Sequence, residues 1–375
     1  MNKGEMKRLG DYIREVDVRN RDLEVTKLLG VSISKEFMPS IANTIGTDMS
    51  SYKIVEPRQF AYGPVTSRNG DKVSIALYKD DEKAIVSQAY TIFEVKNKQE
   101  LLPEYLMMWF RRPEFDRYAR FKSHGSAREI FSWEEMCDVE LPVPPIEQQQ
   151  KIVSEYEAIT HRIRLNEQII TKLEETAQTL YRKMFVDGID KENLPEGWRM
   201  GRLGEISEFK NGKATKLSND IIPVYGGNGI VGYTETSNAE NVIVIGRVGI
   251  NCGNALLEPN KCWVNDNAMM AIPKSDNIYF LYWLIKSLDL NGQSEGSGQP
   301  LLTQAILTQQ DCFIPSFCAI KTFDCQSKNL AMNAFIKQNE IVKLNKLRSL
   351  LLAKMGQGNM VKTQNFASLQ RGDQQ

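Results

Sequence analysis

The chain is short of the residues from which most active sites are built. It has two histidines, His124 and His161, in 375 residues, and six cysteines at positions 137, 252, 262, 312, 318 and 325 without a Cys-x-x-Cys pair. Zinc-site spacing is therefore missing, and free thiols in a reducing, cytoplasmic setting are expected. Charge of one sign is also missing, because 47 Lys and Arg balance 47 Asp and Glu. Net charge thus advertises neither a nucleic-acid partner nor an acidic tail. The start is polar, with Lys3, Lys7 and Arg8 and no apolar stretch behind them, so neither a secretory leader nor a membrane partner is expected. No Gly-x-x-x-x-Gly-Lys-Ser/Thr loop occurs: Asn211-Gly212-Lys213-Ala214 lacks the first glycine and the hydroxyl. The adjacent prolines Pro144-Pro145 are followed by Ile146, not by the aromatic residue of an adenine methyltransferase loop.

What is present is a repeat. Gly125-Ser126-Ala127-Arg128 returns as Gly296-Ser297-Gly298-Gln299 at a shift of 171 residues, and the same shift carries Pro144 to Pro315, Lys172-Leu173 to Lys343-Leu344 and Lys183-Met184 to Lys354-Met355. The front matches more loosely. Leu9-Gly10-Asp11 resembles Leu203-Gly204-Glu205 at a shift of 194, and Tyr105 with Trp109 resembles Tyr279 with Trp283 at 174. Each copy thus varies in length at its front and is locked at its back.

The back of each copy reads as a long helix with a heptad seam. In the first, Ile152, Tyr156, Ile159, Ile163, Asn166, Ile170, Leu173, Ala177, Leu180 and Met184 step by four and three alternately. In the second the seam holds Phe323, Ser327, Leu330, Ala334, Lys337, Ile341, Leu344, Arg348, Leu351 and Met355. Asn166 and Lys337 put a polar residue at the fifth seam position of each, which suggests a register device. A rod of about 50 Å is expected for each at ~1.5 Å per residue. The second copy lacks the Glu147-Gln148-Gln149 that follows Pro145, so its helix is expected to be shorter or irregular at its start. In front of each helix, β-rich runs such as Tyr90 to Val95 and Val242 to Ile245 lie between Gly- and Asn-rich loops, with one apolar helix per copy after the strands. That predicts α+β units.

Two binding segments stand out. Arg111, Arg112, Arg117, Arg120, Lys122 and Arg128 are set against Glu114 and Asp116 and interleaved with Phe115, Tyr118 and Phe121. This suits phosphate contact, with arginine available for base edges. The loop containing Gln299 is polar instead and suits hydrogen bonding to bases, since glutamine can bond adenine N6 and N7. Arg68, Ser126, Arg247 and Ser297 complete the candidate contacts. Two other readings compete. Asp80, Asp81 and Glu94-Val95-Lys96 match a sparse magnesium-nuclease pattern, and a helical adaptor without a DNA role would also carry the two rods.

In this order, twice over, the features resemble the specificity subunit of Type I restriction-modification enzymes across nearly the whole chain. They comprise Leu9-Gly10-Asp11, the two Gly-Ser loops, Leu141-Pro142-Val143-Pro144-Pro145 with Glu147-Gln148-Gln149, Pro195-Glu196-Gly197-Trp198 before Leu203-Gly204-Glu205, and the two helices. The resemblance implies two target recognition domains, each reading half of a split double-stranded DNA target, and two antiparallel helices in a pseudo-two-fold spacer that fixes the gap. It also implies no catalysis and no cofactor in this chain. Two methyltransferase subunits using S-adenosylmethionine, and two restriction subunits using ATP, with magnesium in these partners, would do the chemistry. The expected boundaries are a first recognition domain over 1–150, a spacer helix over 151–187 and a second recognition domain over 188–320 with an entry linker at 188–199. A second spacer helix over 321–356 and a flexible tail over 357–375 follow. Ile152, Ile163, Asn166, Ile170, Leu173, Leu180, Leu330, Lys337, Ile341, Leu344 and Leu351 are expected to pair in the spacer.

Overall fold

A computed structural model describes residues 6–40, 46–66, 70, 72–124, 129–190, 192–288, 290 and 301–356. The chain divides into two units, one of residues 1–164 and 341–375 and one of residues 165–340. Both are α+β.

In the first unit an antiparallel sheet has the order Ile13–Val16, Thr91–Val95, Phe60–Tyr62, Ile75–Leu77. Helix Pro103–Phe110 packs on it through Tyr105, Leu106 and Phe110, and the stacked rings of Phe60 and Phe93 lie 4.8 Å apart in the same core. In the second unit an antiparallel sheet has the order Ser207–Asn211, Ala268–Pro273, Val242–Gly246, Ala255–Glu258. Helix Ile278–Ser287 packs there through Phe280, Leu281 and Ile285. A separate three-stranded sheet joins the hairpin Ile222–Gly226 and Gly229–Thr234 to Trp263–Val264 in parallel, and in the first unit the hairpin Leu29–Val31 and Phe37–Pro39 is likewise linked in parallel, by the Leu28 to Ile85 bridge, to strand Ala84–Val86.

The loose shift at the front and the locked shift at the back meet in one ladder. Arg8 pairs with Glu140, and Arg202 with Asp311, so the shifts of 194 and 171 are both satisfied residue by residue. Immediately after the strand, Leu9 donates to the Val139 carbonyl, as Leu203 does to that of Gln310. The Leu-Gly turn is pressed onto the short helix preceding the ladder. A Cβ on Gly10 would sit 2.8 Å from Cys137 Cβ, and one on Gly204 would sit 2.5 Å from Thr308 Cγ2. The short helices are capped alike, Ser132 accepting from Glu135 N and Thr303 from Ile306 N.

The rods run Ile146–Phe185 and Phe317–Gly356, 40 residues each and about 60 Å long. Their bounds differ by the shift of 171 at both ends. Each begins four or five residues earlier than the heptad pattern suggested. The Pro145 carbonyl already accepts from Gln148 and Gln149, so helix follows the proline pair without a gap. The second rod is neither shorter nor irregular at its start, correcting the expectation drawn from its missing Glu-Gln-Gln. Ser316 stands where Pro145 does, and its Oγ accepts from Ala319 N at 3.4 Å, capping the first turn. The first rod stops where Gly188 takes a left-handed φ of +75°.

Antiparallel pairing is visible inside each unit. In the first, Ile152 and Val153 near the start of one rod share a core with Leu352 and Met355 at the end of the other. In the second, Ala177, Tyr181 and Phe185 meet Ile320 and Phe323. Ile152, Ile163 and Asn166 are buried, and Ile170, Leu173 and Leu180 are partly so. Ile341 is buried on the second rod, where Leu330, Leu344 and Leu351 are half-buried. Asn166 is wholly buried, and neither of its amide atoms has a partner among the described residues. Lys337 differs from Asn166 and escapes the seam by pairing with Glu340 on its own helix at 3.1 Å.

Candidate nucleic-acid interface

The same two-segment construction stands in each unit. In the first, the chain leaving strand Phe60–Tyr62 pairs with the residues that follow the Gly-Ser loop: Val65 bridges Ile130, Phe131 donates to the Pro64 carbonyl, and Thr66 to that of Glu129. In the second, the chain leaving strand Val242–Gly246 does likewise, with Val248 bridging Leu301 and Leu302 donating to the Arg247 carbonyl. Arg247 and Leu302, far apart in sequence, are therefore backbone neighbours. Arg68, Ser126, Arg128, Ser297 and Gln299 themselves lie outside the described residues, as does the expected tail 357–375.

Helix Pro113–Lys122 carries the basic stretch, with Glu114 and Asp116 in its first turn and Arg120 and Lys122 in its last, in keeping with the helix dipole. Folding changes its electrostatics. Arg111 lies 3.6 Å from Glu36, Arg117 3.1 Å from Glu114 and Lys122 3.3 Å from Glu135, while Arg120 pairs with Glu129. The local positive excess is thus largely offset by carboxylates from other segments. Such exposed pairs are worth about 0–1 kcal/mol and exchange readily for phosphate. Arg112 stands apart. It is buried, its guanidinium lies over the Trp109 ring at 4.2 Å, and it abuts Gly356, so burial holds its pKa below the usual value. With an ion pair to Glu114 at 3.4 Å as well, this placement makes Arg112 a packing residue and not the phosphate contact expected. In the second unit Lys286 sits over Trp283 at 5.2 Å in the same way.

The nuclease-like residues are engaged elsewhere. Glu94 accepts from Arg14 and from Gln59, and Asp80 pairs with Lys27 at 2.7 Å. Lys96 donates to the carbonyls of Gly10 and Asp11, and Lys274 donates to that of Gly204. The registers Ile13↔Val95 and Ser207↔Pro273 make Lys274 the counterpart of Lys96 and place Ile272 opposite Glu94 in the repeat. The lysine is kept because it ties down the Leu-Gly turn, and the carboxylate is not kept. Among the described residues no group of three or more His, Cys, Asp or Glu side chains is arranged to hold a metal ion.

The family model for the Type I restriction modification DNA specificity domain matches this chain twice, over residues 35–175 and 195–352. The chain belongs to this family. Each specificity domain so matched includes one loop pair and runs into one rod. Among curated relatives, the EcoprrI specificity subunit of Escherichia coli is 31% identical over 136 residues, which is 34% of this chain and 34% of that protein. The chain therefore spans about a third of the length of that relative. The MjaIX specificity subunit of Methanocaldococcus jannaschii is 23% identical over 308 residues, 70% of each chain. In fold, the chain is similar to the S subunit of the Type I restriction-modification system of M. genitalium, with a TM-score of 0.62, 17% identity, and 95% and 96% of the two chains covered.

Proposed function

We infer that this chain is the DNA-specificity subunit of a Type I restriction-modification system, a non-catalytic component whose two units each bind one half of a split double-stranded target. The observation that carries the reading is the duplicated specificity domain, matched once in each half of the chain. It is supported by the loop pair that recurs at the end of a central strand in both units, because reading two half-sites needs two comparable surfaces with different side chains. The rods then act as a spacer between the half-sites and as a seat for two methyltransferase and two restriction subunits. S-adenosylmethionine, ATP and magnesium belong to those subunits. Net neutrality fits a protein that borrows part of its phosphate contact from partners. No helix among the described residues is long and apolar enough to cross a membrane, and a cytoplasmic site of action is part of the same proposal.

The test is to mix the purified chain with its cognate methyltransferase subunit and map adenine methylation on random DNA. Methylation confined to one two-part sequence is the expected outcome. Methylation that ignores sequence, or none beyond that of the methyltransferase alone, would remove the reading.

A further inference from the structure

The second unit holds a cluster of loops that neither the Gly-Ser segment nor the basic helix accounts for. Three turns converge beside Val248: the hairpin tip 226–229, the segment 246–254 and the turn 265–267. They are packed backbone to backbone. A Cβ on Gly246 would stand 2.1 Å from the Asn251 carbonyl oxygen, and one on Gly227 would stand 3.2 Å from Gly246 Cα. Arg247 N donates to the Asn267 carbonyl, and Asn254 Nδ2 to that of Gly227. The cluster is thus held backbone to backbone, with Cys252 turned into the core and Asn228, Asn254, Asp266 and Asn267 exposed.

Three of those four exposed side chains are carboxamides, the fourth being the Asp266 carboxylate. Asn265 is used internally, its Oδ1 accepting from Asn267 N. Asn228, at the hairpin tip, and Asn267 are both exposed, and neither side chain has a hydrogen-bond partner among the described residues. A carboxamide offers a donor and an acceptor side by side, the pattern that matches adenine N6 and N7 in the major groove. Beside the turns, Gly212 lies so close to Asn265 that a Cβ would reach within 1.9 Å of its carbonyl oxygen. The exposed strip that follows, Lys213 to Lys216, is fastened by Trp263 Nε1 donating to the Lys213 carbonyl at 2.6 Å. Neither lysine has an ion-pair partner among the described residues.

We propose that these loops form a base-reading surface of the second unit, with Asn228 and Asn267 as specificity-determining residues and Lys213 and Lys216 as flanking phosphate contacts. The proposal rests on the DNA-specificity reading and deepens it. It adds readout at the turns around Val248, whose bridge to Leu301 joins them to the segment that follows the Gly-Ser loop in sequence. The neighbouring hairpin exposes Ile230 and Val231, which makes a protein partner the competing occupant. Glycine and carboxamide side chains at the convergence favour a polar, hydrogen-bonding ligand instead.

The experiment uses the assembled methyltransferase complex, with methylation of a random DNA library read by sequencing. Asn228→Gly keeps a residue suited to the tight turn, Asn267→Ala keeps the backbone bonds, and Asn267→Asp preserves shape while turning a donor into an acceptor. The first two should relax preference in one half-site by about 5- to 150-fold per bidentate contact and leave the other half unchanged. The third should move preference from adenine toward cytosine. Replacing both lysines with glutamine should weaken binding on all sequences and reduce the salt slope by about two. Unchanged half-sites in the asparagine variants would overturn the proposal while leaving the DNA-specificity reading intact. Equal loss on every sequence would reduce the asparagines to backbone contacts and overturn it too, as would failure of the variants to assemble with the methyltransferase. Absence of any sequence preference in the wild-type complex would instead strike the underlying reading.

Discussion

Gly10 and Gly204 do the same work at two places 194 residues apart. Each lets a turn close onto the helix before the rod, at a distance where a methyl group would overlap Cys137 or the Thr308 side chain and carbonyl. Alanine at either position should cost about 1–3 kcal/mol, the usual range for overpacking, read as a lower midpoint in chemical denaturation. The effect should be similar in both units, because the neighbours are related by the repeat. Asp324 offers a second residue-scale test. It is buried on the second rod and accepts from the backbone N–H groups of Tyr279 and Phe280 at the start of helix Ile278–Ser287. Burial outweighs those bonds and pushes its carboxyl up to about 6. A folded-state value above the unfolded one means that this group's contribution is fully present below about pH 4 and is lost as pH rises through 6. Asp324→Asn should therefore flatten the fall in stability between pH 4 and 6 by about 2 kcal/mol, measured by denaturation across that range.

At the scale of elements, the rods were the most legible part of the sequence, because burial follows a seam that steps by four and three over many turns. Their starts are less legible, since the heptad seam begins inside the helix while the backbone is already helical directly after Pro145 and Ser316. Asn166 shows the limit of pattern reading more sharply. Its seam position was evident, but that both amide atoms would lie buried and unpartnered among the described residues was not. Asn166→Leu should raise stability by about 1–3 kcal/mol, since it removes an uncompensated burial of polar atoms, and thermal unfolding would show it. A drop in stability would mean that the amide is paired in solution. The basic helix was legible as composition only. Its partners Glu36, Glu129 and Glu135 come from other segments, and the inward turn of Arg112 depends on Trp109 and Gly356, which the sequence alone does not bring together. Lys274 escaped notice because the two copies differ in length at their fronts, and only strand register fixes which residue answers to Lys96.

For the whole molecule, each of the two rods of 40 residues contributes its two ends to different units, and under the proposed function they join two readers. The half-sites are then a property of the loops and the gap a property of the rods, and the two should vary independently. Inserting one heptad into each rod, at paired positions of the seam, adds about 10 Å at ~1.5 Å per residue. On DNA that is about three base pairs, given the ~34 Å repeat of 10–10.5 pairs. The deciding measurement is the methylation map of the complex built with this extended chain, set beside that of the wild type. Both half-site sequences should be retained, with the gap between them longer by about three base pairs. An unchanged gap with normal methylation, or an altered half-site sequence at the old gap, would contradict the account.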